Sequence, residues 1–309
     1  MLHSRIHLPV TLKLSIRTLA SGNSNPSNPS DPSPVPLAFN HYGSSVDRSH
    51  HPLVIGHGLF GHKGNFNAIA KRLQQRLGNQ IFAVDMRNHG ESPHVPEMTY
   101  PHMAADYAHF IESVVKPATG FDQVHLLGHS MGAKTACLLA LDSSKANLIK
   151  SLIIEDINPV ARSQNKRIKF YIQHMKKVNL KQSRRQIGED FAPIIANRAV
   201  RASLLTNLAH IGKNGNQEYR WKLNLDAIET YIDNVLSFTV SDGTFEGPSL
   251  FVYGENSEYL NTDDFKAIQR LFPNPRFHVI PKAGHWLHAE QPEAFVDSVV
   301  DFIKSVERE

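Results

Sequence analysis

Hydrophobic and polar positions divide most of the chain into two kinds of segment. Short, largely apolar runs predict buried strands at residues 52–56, 80–85, 123–128, 151–156, 251–254 and 277–281. Between them, apolar residues recur at helical spacing and predict helices at 65–77, 102–116, 131–142 and 291–306. Strands that alternate with helices indicate a mostly parallel sheet with helices on both faces, which is an α/β fold.

The interval from about 160 to 245 departs from this alternation. Its apolar positions follow helical spacing in three stretches, 167–178, 183–209 and 225–238. A helical block inserted between two strands is expected to cover the carboxyl edge of the sheet, where open α/β folds bind ligands. We therefore predict a helical lid at about 160–245. The basic run 166–177 is interpreted as mostly a solvated face of this lid that also suits contact with anionic lipids.

The first 36 residues differ in composition from the rest. Residues 1–30 contain Arg5, Lys13 and Arg17 but no acidic residue, and a Ser-, Pro- and Asn-rich stretch ends the segment. Such a composition is typical of a mitochondrial transit peptide, although a tail without a targeting role can share it. We predict a transit peptide and linker at 1–36, a folded domain at 37–309 and a location in the mitochondrial matrix. The mature protein is expected to lack roughly the first 20 to 35 residues.

Composition and charge narrow the possible functions. The 309 residues are 41% hydrophobic and 20% charged, which is typical of a globular protein. The net charge of +4 comes from dispersed Lys and Arg residues without a nucleic-acid-binding motif, so no nucleic-acid partner is predicted. No apolar run reaches about 18 residues, so no transmembrane span is predicted. The single cysteine, Cys137, excludes an internal disulfide and is interpreted as a small core residue.

The candidate nucleophile is Ser130, in the segment Gly128-His129-Ser130-Met131-Gly132. A predicted strand ends there and a predicted helix begins, which is the context that the pattern G-x-S-x-G requires. Only small residues beside the serine let the strand and the helix approach closely enough for this turn. The pattern therefore predicts a serine raised above the sheet at a helix N-terminus, where peptide dipoles favour negative charge.

A serine hydroxyl needs an adjacent base, and the oxyanion of its tetrahedral intermediate needs backbone donors. The N–H after the nucleophile, that of Met131, is one expected donor of this oxyanion hole. The other is assigned to Leu59, in the segment HGLFG (57–61) after the first predicted strand. His57 is interpreted as a residue that holds the shape of this loop.

The candidate base is His285, in the loop between the last predicted strand and the last predicted helix. This position keeps the chain order of nucleophile, acid and histidine. His288 is the alternative base. The two histidines are not predicted to bind a metal, because neither a carboxylate nor a third histidine stands at ligand spacing. No other cofactor is predicted.

Five motifs in chain order, HGLFG, GHSMG, EDINPV, GENS and AGHWLHAEQP, resemble one branch of the α/β-hydrolases. The branch includes the alpha/beta-hydrolase-domain-containing protein 11 family, bacterial small-ester esterases and the yeast ethanol acetyltransferases. The similarity runs from about residue 37 to the end. It implies an α/β-hydrolase fold with an inserted lid, serine-dependent cleavage of acyl esters including acylglycerols, and a mitochondrial location.

The resemblance also implies where the catalytic acid lies. In this branch the acid usually ends the strand after the nucleophile helix, which is Asp156 here, and Asp226 in the lid is the alternative. Ser257 follows the strand 251–254, where this fold more often has its acid, and we expect it to support the site by a hydrogen bond to Asp156 or His285. Two neighbours of Ser257 are interpreted as solvated loop carboxylates: Glu255 and Glu258.

The leading hypothesis is hydrolysis of a small acyl ester through an acyl-enzyme on Ser130. Acyl transfer to an alcohol shares the first half-reaction and stays open. A third reading is a non-catalytic protein that binds a ligand or a mitochondrial partner protein under the lid. Trp221 and Trp286 are candidates for the acyl pocket or for packing of the lid, and Lys134 either orients the start of the nucleophile helix or is exposed.

Overall fold

Nine strands form the β structure of the described residues, which are 32–44, 49–161, 167–213 and 215–308 of the computed structural model. The strands are β1 (Phe39–Tyr42), β2 (Leu53–Gly56), β3 (Ile81–Val84), β4 (Val124–His129), β5 (Ile149–Glu155), β6 (Leu208–His210), β7 (Tyr219–Trp221), β8 (Ser249–Gly254) and β9 (Pro275–Ile280). Seven of them form one sheet in the order β1-β3-β2-β4-β5-β8-β9. The added edge strand β1 is antiparallel to β3, and all other neighbours are parallel. The predicted mostly parallel α/β fold is therefore confirmed.

Eleven α-helices occur in the same described ranges. They are α1 (Asn67–Leu77), α2 (Tyr100–Phe110), α3 (Lys116–Thr119), α4 (Met131–Leu141), α5 (Arg167–Lys177), α6 (Arg184–Asp190), α7 (Arg198–Leu205), α8 (Leu225–Ser237), α9 (Phe265–Leu271), α10 (Leu287–Glu290) and α11 (Pro292–Arg308). A π-helical turn at Ile111–Val115 joins α2 to α3. The helix predicted at 102–116 is therefore continued by this turn into a longer irregular helix.

The central strands are buried on both faces, because their apolar side chains alternate between two helical layers. On β4, Leu126 packs in the layer of α2 and α4, whereas Leu127 packs in the layer of α1 and α11. The same alternation separates Ile154 from Ile153 on β5. This double burial explains why the strands appear in the sequence as continuous apolar runs rather than as alternating ones.

Four of the candidate site residues follow strands at the carboxyl edge of the sheet. Ser130 follows β4, Asp156 follows β5, Ser257 comes shortly after β8, and His285 comes after β9. These four strands are consecutive parallel neighbours, so their carboxyl ends meet along one edge. The topology thus gathers residues that are far apart in the sequence.

The segment between β5 and β8, for which we keep the name lid, contains α5 to α8 and the antiparallel pair β6–β7. The hairpin strands were not predicted. The stretch 183–209, predicted as one helix, divides into α6 and α7. Pro193 lies between the two helices; it lacks an N–H and disfavours helical backbone in the residue before it. Asn197 then starts α7 by accepting hydrogen bonds from the N–H groups of Ala199 and Val200.

Lys134 of α4 forms hydrogen bonds to both ends of the lid. Its side chain is buried, and Nζ donates hydrogen bonds to the carbonyl oxygens of Ala161 at 2.7 Å and Phe238 at 2.8 Å. Burial lowers the pKa of Lys134 to about 8. A backbone hydrogen bond from Val240 to Pro159 joins the same two segments. Of the two alternatives left open for Lys134, exposure to solvent is therefore wrong.

The start of the folded part is fixed by a buried ion pair. Arg87 Nε contacts Asp106 Oδ2 at 2.6 Å, and the pair also binds the backbone of Ser33 and Val35. Backbone contacts with the domain thus begin before residue 37, the expected boundary. The predicted transit peptide lies, up to residue 31, outside the described residues. Within the described ranges, no helix is long and apolar enough to cross a membrane.

Candidate active site

Ser130 occupies a strained turn between β4 and α4. Its φ of 51° lies in the left-handed region, which costs a non-glycine residue ~1–3 kcal/mol. The neighbouring glycines are required by contact: a Cβ on Gly128 would lie 2.4 Å from the backbone N of Ala133, and one on Gly132 would lie 2.7 Å from the carbonyl oxygen of Gly56. The surrounding packing therefore holds the serine in this exceptional conformation.

The backbone N–H groups of Leu59 and Met131 are available near Ser130. Met131 is the first residue of α4, and Leu59 lines the same cavity as Ser130. Neither N–H donates to another group within the part of the chain that the structure describes. The next N–H, that of Phe60, is already used, because it donates to His89 Nε2 at 3.2 Å.

Two buried histidines hold the Leu59 loop. His57 Nδ1–H donates to the carbonyl oxygen of Gly58 at 2.8 Å, and His57 Nε2 accepts from the N–H of Met86 at 2.9 Å. His89 Nδ1–H donates to the carbonyl oxygen of Arg87 at 2.9 Å. Burial lowers the pKa of His57 to about 4 and that of His89 to about 3. Both rings are therefore neutral at pH 7 and act as fixed donors and acceptors, as expected for His57.

His285 and Asp156 are brought into contact by the fold. His285 Nδ1–H donates to Asp156 Oδ2 at 2.7 Å, although the two residues are separated by 129 positions in the sequence. Asp156 is fully buried and, like Ser130, has a φ of 51°. Its N–H donates to the carbonyl oxygen of Val252 on β8, which turns the chain toward His285 at the edge of the sheet. The remaining ring nitrogen of His285, Nε2, is left for the cavity.

The Asp156 carboxylate is held by two further donors. Oδ1 accepts from the N–H of Gly254 at 3.0 Å, and Oδ2 accepts from Ser257 Oγ at 2.5 Å. Ser257 therefore contacts Asp156, which is one of the two contacts expected for it. The ring of Tyr259 stacks on the ring of His285 with centroids 4.0 Å apart. The imidazole is thereby fixed at its edge by a carboxylate and at its face by an aromatic ring.

The other carboxylates considered in the sequence lie away from His285. Asp226, on α8 in the lid, is 86% exposed and forms an ion pair with Lys176 Nζ at 2.7 Å. Glu255 accepts a hydrogen bond from the N–H of Lys282, and Glu258 is exposed. The structure thus brings Asp156, and none of these three, to the histidine.

His288 belongs to a second histidine–carboxylate pair. Glu155 Oε1 accepts a hydrogen bond from the backbone N–H of His288 at 3.1 Å and another from the ring Nδ1–H of His288 at 2.7 Å. His129 Nε2–H donates to the carbonyl oxygen of His285, and burial together with the neighbouring histidines holds the pKa of His129 well below its usual range. Glu155 points away from Asp156 because successive residues of a strand face opposite sides.

The buried side chains of His288, Glu155 and His129 form a group of a kind that could hold a metal ion. No third ligand stands near His288 in sequence, but the fold places Glu155 and His129 beside it, with one potential ligand atom of each residue within 4.8 Å of the others. Nδ1 of His288 is engaged in the hydrogen bond to Glu155 Oε1, and Nε2 of His129 is engaged in the hydrogen bond to the His285 carbonyl oxygen. The cluster thus supports the backbone around His285.

A cavity of about 580 Å³ opens beside Ser130 and His285. Its outer wall comes from the lid, through Ile168, Tyr171 and Leu204 among others, so the lid covers the carboxyl edge of the sheet at this point. Trp286 lines the cavity. Trp221 instead packs inside the lid, where its Nε1–H donates to the carbonyl oxygen of Met175 at 2.8 Å. The two tryptophans therefore have different roles.

Residues 53–298 match the model of the alpha/beta hydrolase family. The chain belongs to this family. It is 40% identical over 278 residues to a protein of Danio rerio named sn-1-specific diacylglycerol lipase ABHD11, with 88% of this chain and 84% of that protein covered. A probable alcohol acetyltransferase of Saccharomyces cerevisiae is 28% identical over 278 residues, which cover 82% of this chain and 77% of the yeast protein.

Among solved structures, a marine microorganism esterase is similar to this alpha/beta hydrolase over nearly all of the esterase's own length. It has a TM-score of 0.77 and 34% sequence identity, with 87% of this chain and 99% of the esterase covered. The resemblance stated from the five sequence motifs is therefore confirmed at the level of the family and its branch.

The sequence did not indicate the contacts of His89, His129 and Tyr259, nor the pairing of His288, the alternative base, with Glu155. Only His89 carries a local signal, because it lies in the polar segment RNHG soon after β3, at the edge where sites form. The others act through contacts between distant segments, for which spacing along the chain gives no indication.

Proposed function

We propose that the protein hydrolyses acyl esters, acylglycerols included, through an acyl-enzyme on Ser130. It is a carboxylic ester hydrolase of the alpha/beta hydrolase family, and the proposal concerns the roles of its residues and the lipid nature of its substrate. The observation that carries it is the 2.7 Å contact between His285 Nδ1 and Asp156 Oδ2 beside a cavity that Ser130 also lines.

In the first half-reaction, Ser130 Oγ attacks the ester carbonyl carbon and gives its proton to His285. Because Nδ1 already donates to Asp156, Nε2 is the nitrogen that accepts this proton. The carbonyl oxygen becomes an oxyanion and accepts hydrogen bonds from the N–H groups of Leu59 and Met131, each worth ~3 kcal/mol in the transition state. The alcohol then leaves with the proton from Nε2, and the acyl group remains on Ser130.

In the second half-reaction, water attacks the acyl carbon while His285 Nε2 takes one of its protons. The same oxyanion forms and is stabilised by the same two N–H groups. It collapses to the free acid, and Ser130 Oγ recovers its proton from His285. Asp156 stays ionised throughout, because its part is to fix the tautomer and to stabilise the imidazolium.

An acyl chain suits the cavity by volume and by lining. The lid contributes Ile168, Ala199, Val200 and Leu204 to its wall, so much of this wall is apolar. The volume of about 580 Å³ lies within the usual range of small-molecule sites. The relative named a diacylglycerol lipase supports an acylglycerol as the substrate class.

Product analysis separates hydrolysis from its alternatives. With a dissolved acyl ester as substrate, we expect the free acid as the main product, and only partial diversion to a new ester when a short alcohol is added. Predominant formation of the new ester would favour acyl transfer, the second candidate, which the 28% identical acetyltransferase relative supports. Absence of both products from folded protein would favour a role in binding alone.

We also propose a mitochondrial location, which the basic, acid-free composition of residues 1–30 supports. A partner protein in that compartment is compatible with catalysis and remains a hypothesis. Incubation with isolated mitochondria is expected to yield a protected chain that lacks roughly its first 20 to 35 residues, as read by N-terminal mass spectrometry. A full-length chain that stays outside the organelle would contradict this part of the proposal.

A further inference from the structure

The lid holds most of the exposed large apolar side chains of the described residues. Phe170 is 64% exposed, Ile211 44% and Ile194 39%, while Val279 on β9 is the one such residue outside the lid in the described ranges. Single exposed apolar residues are common on proteins and by themselves indicate nothing. Their concentration in one inserted segment is the first observation that indicates a binding surface.

Phe170 and Ile194 lie on the same groove in the outer surface of the lid. The groove has a volume of about 350 Å³, and α5 supplies most of its lining. Four of these lining residues recur at helical spacing and so share one face of α5: Arg167, Phe170, His174 and Lys177. The opposite side of the helix is buried through Ile172 and Met175. Helix α5 therefore presents an outward face that mixes an aromatic ring with basic groups.

The net positive charge of the protein is concentrated in the lid. Residues 160–245 contain fourteen Lys and Arg against seven Asp and Glu, whereas the rest of the chain contains 19 against 22. Some lid lysines are neutralised by ion pairs, such as Lys169 with Asp233 and Lys176 with Glu229. Lys177, on the groove, forms no ion pair with any described carboxylate. The electrostatic field on this side therefore favours an anionic partner.

The groove adjoins the catalytic cavity. Tyr171 lines both the groove and the cavity that contains Ser130, and Ile168, one turn earlier on α5, lines the cavity. The groove and the cavity therefore share the side chain of Tyr171 as a common wall. This places the exposed, basic face beside the cavity rather than at a remote part of the surface.

We propose that this outer lid face, formed by α5 and Ile194, docks on an anionic lipid surface. Phe170 and Ile194 enter the boundary between headgroups and acyl chains, and Lys177 with its basic neighbours contacts the anionic headgroups. Docking of the face does not depend on catalysis. Delivery of a membrane-dissolved acylglycerol to Ser130 does rest on the function proposed above.

Binding to lipid vesicles tests the docking directly. The full chain is floated with vesicles of phosphatidylcholine alone, and with vesicles that also contain phosphatidylglycerol. We expect at least about tenfold stronger partitioning to the anionic vesicles, since each basic residue near such a surface adds roughly a fivefold gain. Added salt should reduce this difference by screening. Equal partitioning to both kinds of vesicle would overturn the electrostatic part, and no binding to either would overturn the proposal.

Substitutions locate the surface. Phe170→Ser is expected to weaken partitioning about tenfold, because a large apolar side chain no longer leaves water. Lys177→Glu should weaken binding to the anionic vesicles more than to neutral ones. Val279→Ser, which removes an exposed apolar side chain outside the lid (Val279 is 42% exposed, Phe170 64%), is the matched control and should bind as the wild type does. A loss in Val279→Ser equal to that in Phe170→Ser would show that the lid face is not the docking site.

Two further measurements distinguish lipid docking from failure of the proposed function and from dimer formation. Hydrolysis of a dissolved short-chain ester should be unchanged in Phe170→Ser, while hydrolysis of diacylglycerol in anionic vesicles should fall about tenfold with binding. Failure of the wild type on the dissolved ester would contradict the proposed function but leave vesicle binding interpretable. A dimer in mass photometry that Phe170→Ser dissolves would assign the face to a second copy of the chain and overturn the lipid proposal.

Discussion

Replacement of Ser130 by alanine should lower kcat by a factor on the order of 10⁶, because the reaction loses its only route to an acyl-enzyme. The change removes one oxygen atom. The close contacts of Gly128 and Gly132 that shape the turn involve backbone atoms and do not depend on the hydroxyl. The folded structure and its melting temperature should therefore be nearly those of the wild type, so that the loss can be assigned to chemistry.

Turnover of a dissolved ester and labelling by a fluorophosphonate probe are the two measurements for this variant. The wild type should be labelled on the peptide that contains Ser130, and the variant should not be labelled. Ser203→Ala is the matched control, since Ser203 lines the same cavity from the lid. It should keep both turnover and labelling. Labelling that survives in Ser130→Ala but disappears in Ser203→Ala would contradict the assignment of Ser130 as the nucleophile.

Replacement of Asp156 by asparagine should lower kcat by ~10⁴-fold while the fold persists. If the amide oxygen keeps the hydrogen bond from the Gly254 N–H, the NH2 group takes the place of Oδ2, where it offers an N–H toward His285 Nδ1 and Ser257 Oγ can only accept. That contact favours the tautomer with its proton on Nε2, so Nε2 can no longer accept the proton of the nucleophile. Steady-state kinetics on the dissolved ester, with circular dichroism to check the fold, measures the effect.

Two variants test whether the acid is assigned to the right residue. Asp226→Asn should leave turnover unchanged, because Asp226 is 86% exposed and bound to Lys176. Ser257→Ala should cost about tenfold, the usual worth of one hydrogen bond to a charged group. A larger loss in Ser257→Ala than in Asp156→Asn, or a large loss in Asp226→Asn, would contradict the assignment of Asp156.

The position of Asp156, the proposed acid, follows from the pairing of β5 with β8. In the parallel register Glu155 lies opposite Val252, so the residue after β5 reaches the edge of the sheet beside the end of β8. A carboxylate there can serve the same histidine as a carboxylate after β8. Ser257, which stands in the β8 loop, donates to that carboxylate at 2.5 Å. The segments after the two strands therefore build the proposed acid site together, with the carboxylate after β5 and a hydroxyl that donates to it after β8.

The amino-acid sequence by itself determined the strands of the parallel sheet, most of the helices and the Ser130 turn. Burial on both faces of the central strands produces continuous apolar runs, and these are visible without a structure. Of the small residues around Ser130, Gly128 is equally local, because the clash that it avoids is with Ala133 of the same strand–turn–helix unit. Patterns of this kind depend on neighbours within a few residues, which is why they could be read directly.

Tertiary structure alone decided which partners the reactive side chains have. The sequence favoured Asp156 over Asp226 only through a family resemblance, whereas the fold brings Asp156 into contact with His285 across 129 positions. Likewise, only the fold showed that Lys134 joins the two ends of the lid and that Glu155 pairs with His288. Such contacts are set by the order and register of strands within the sheet, so no periodicity along the chain encodes them.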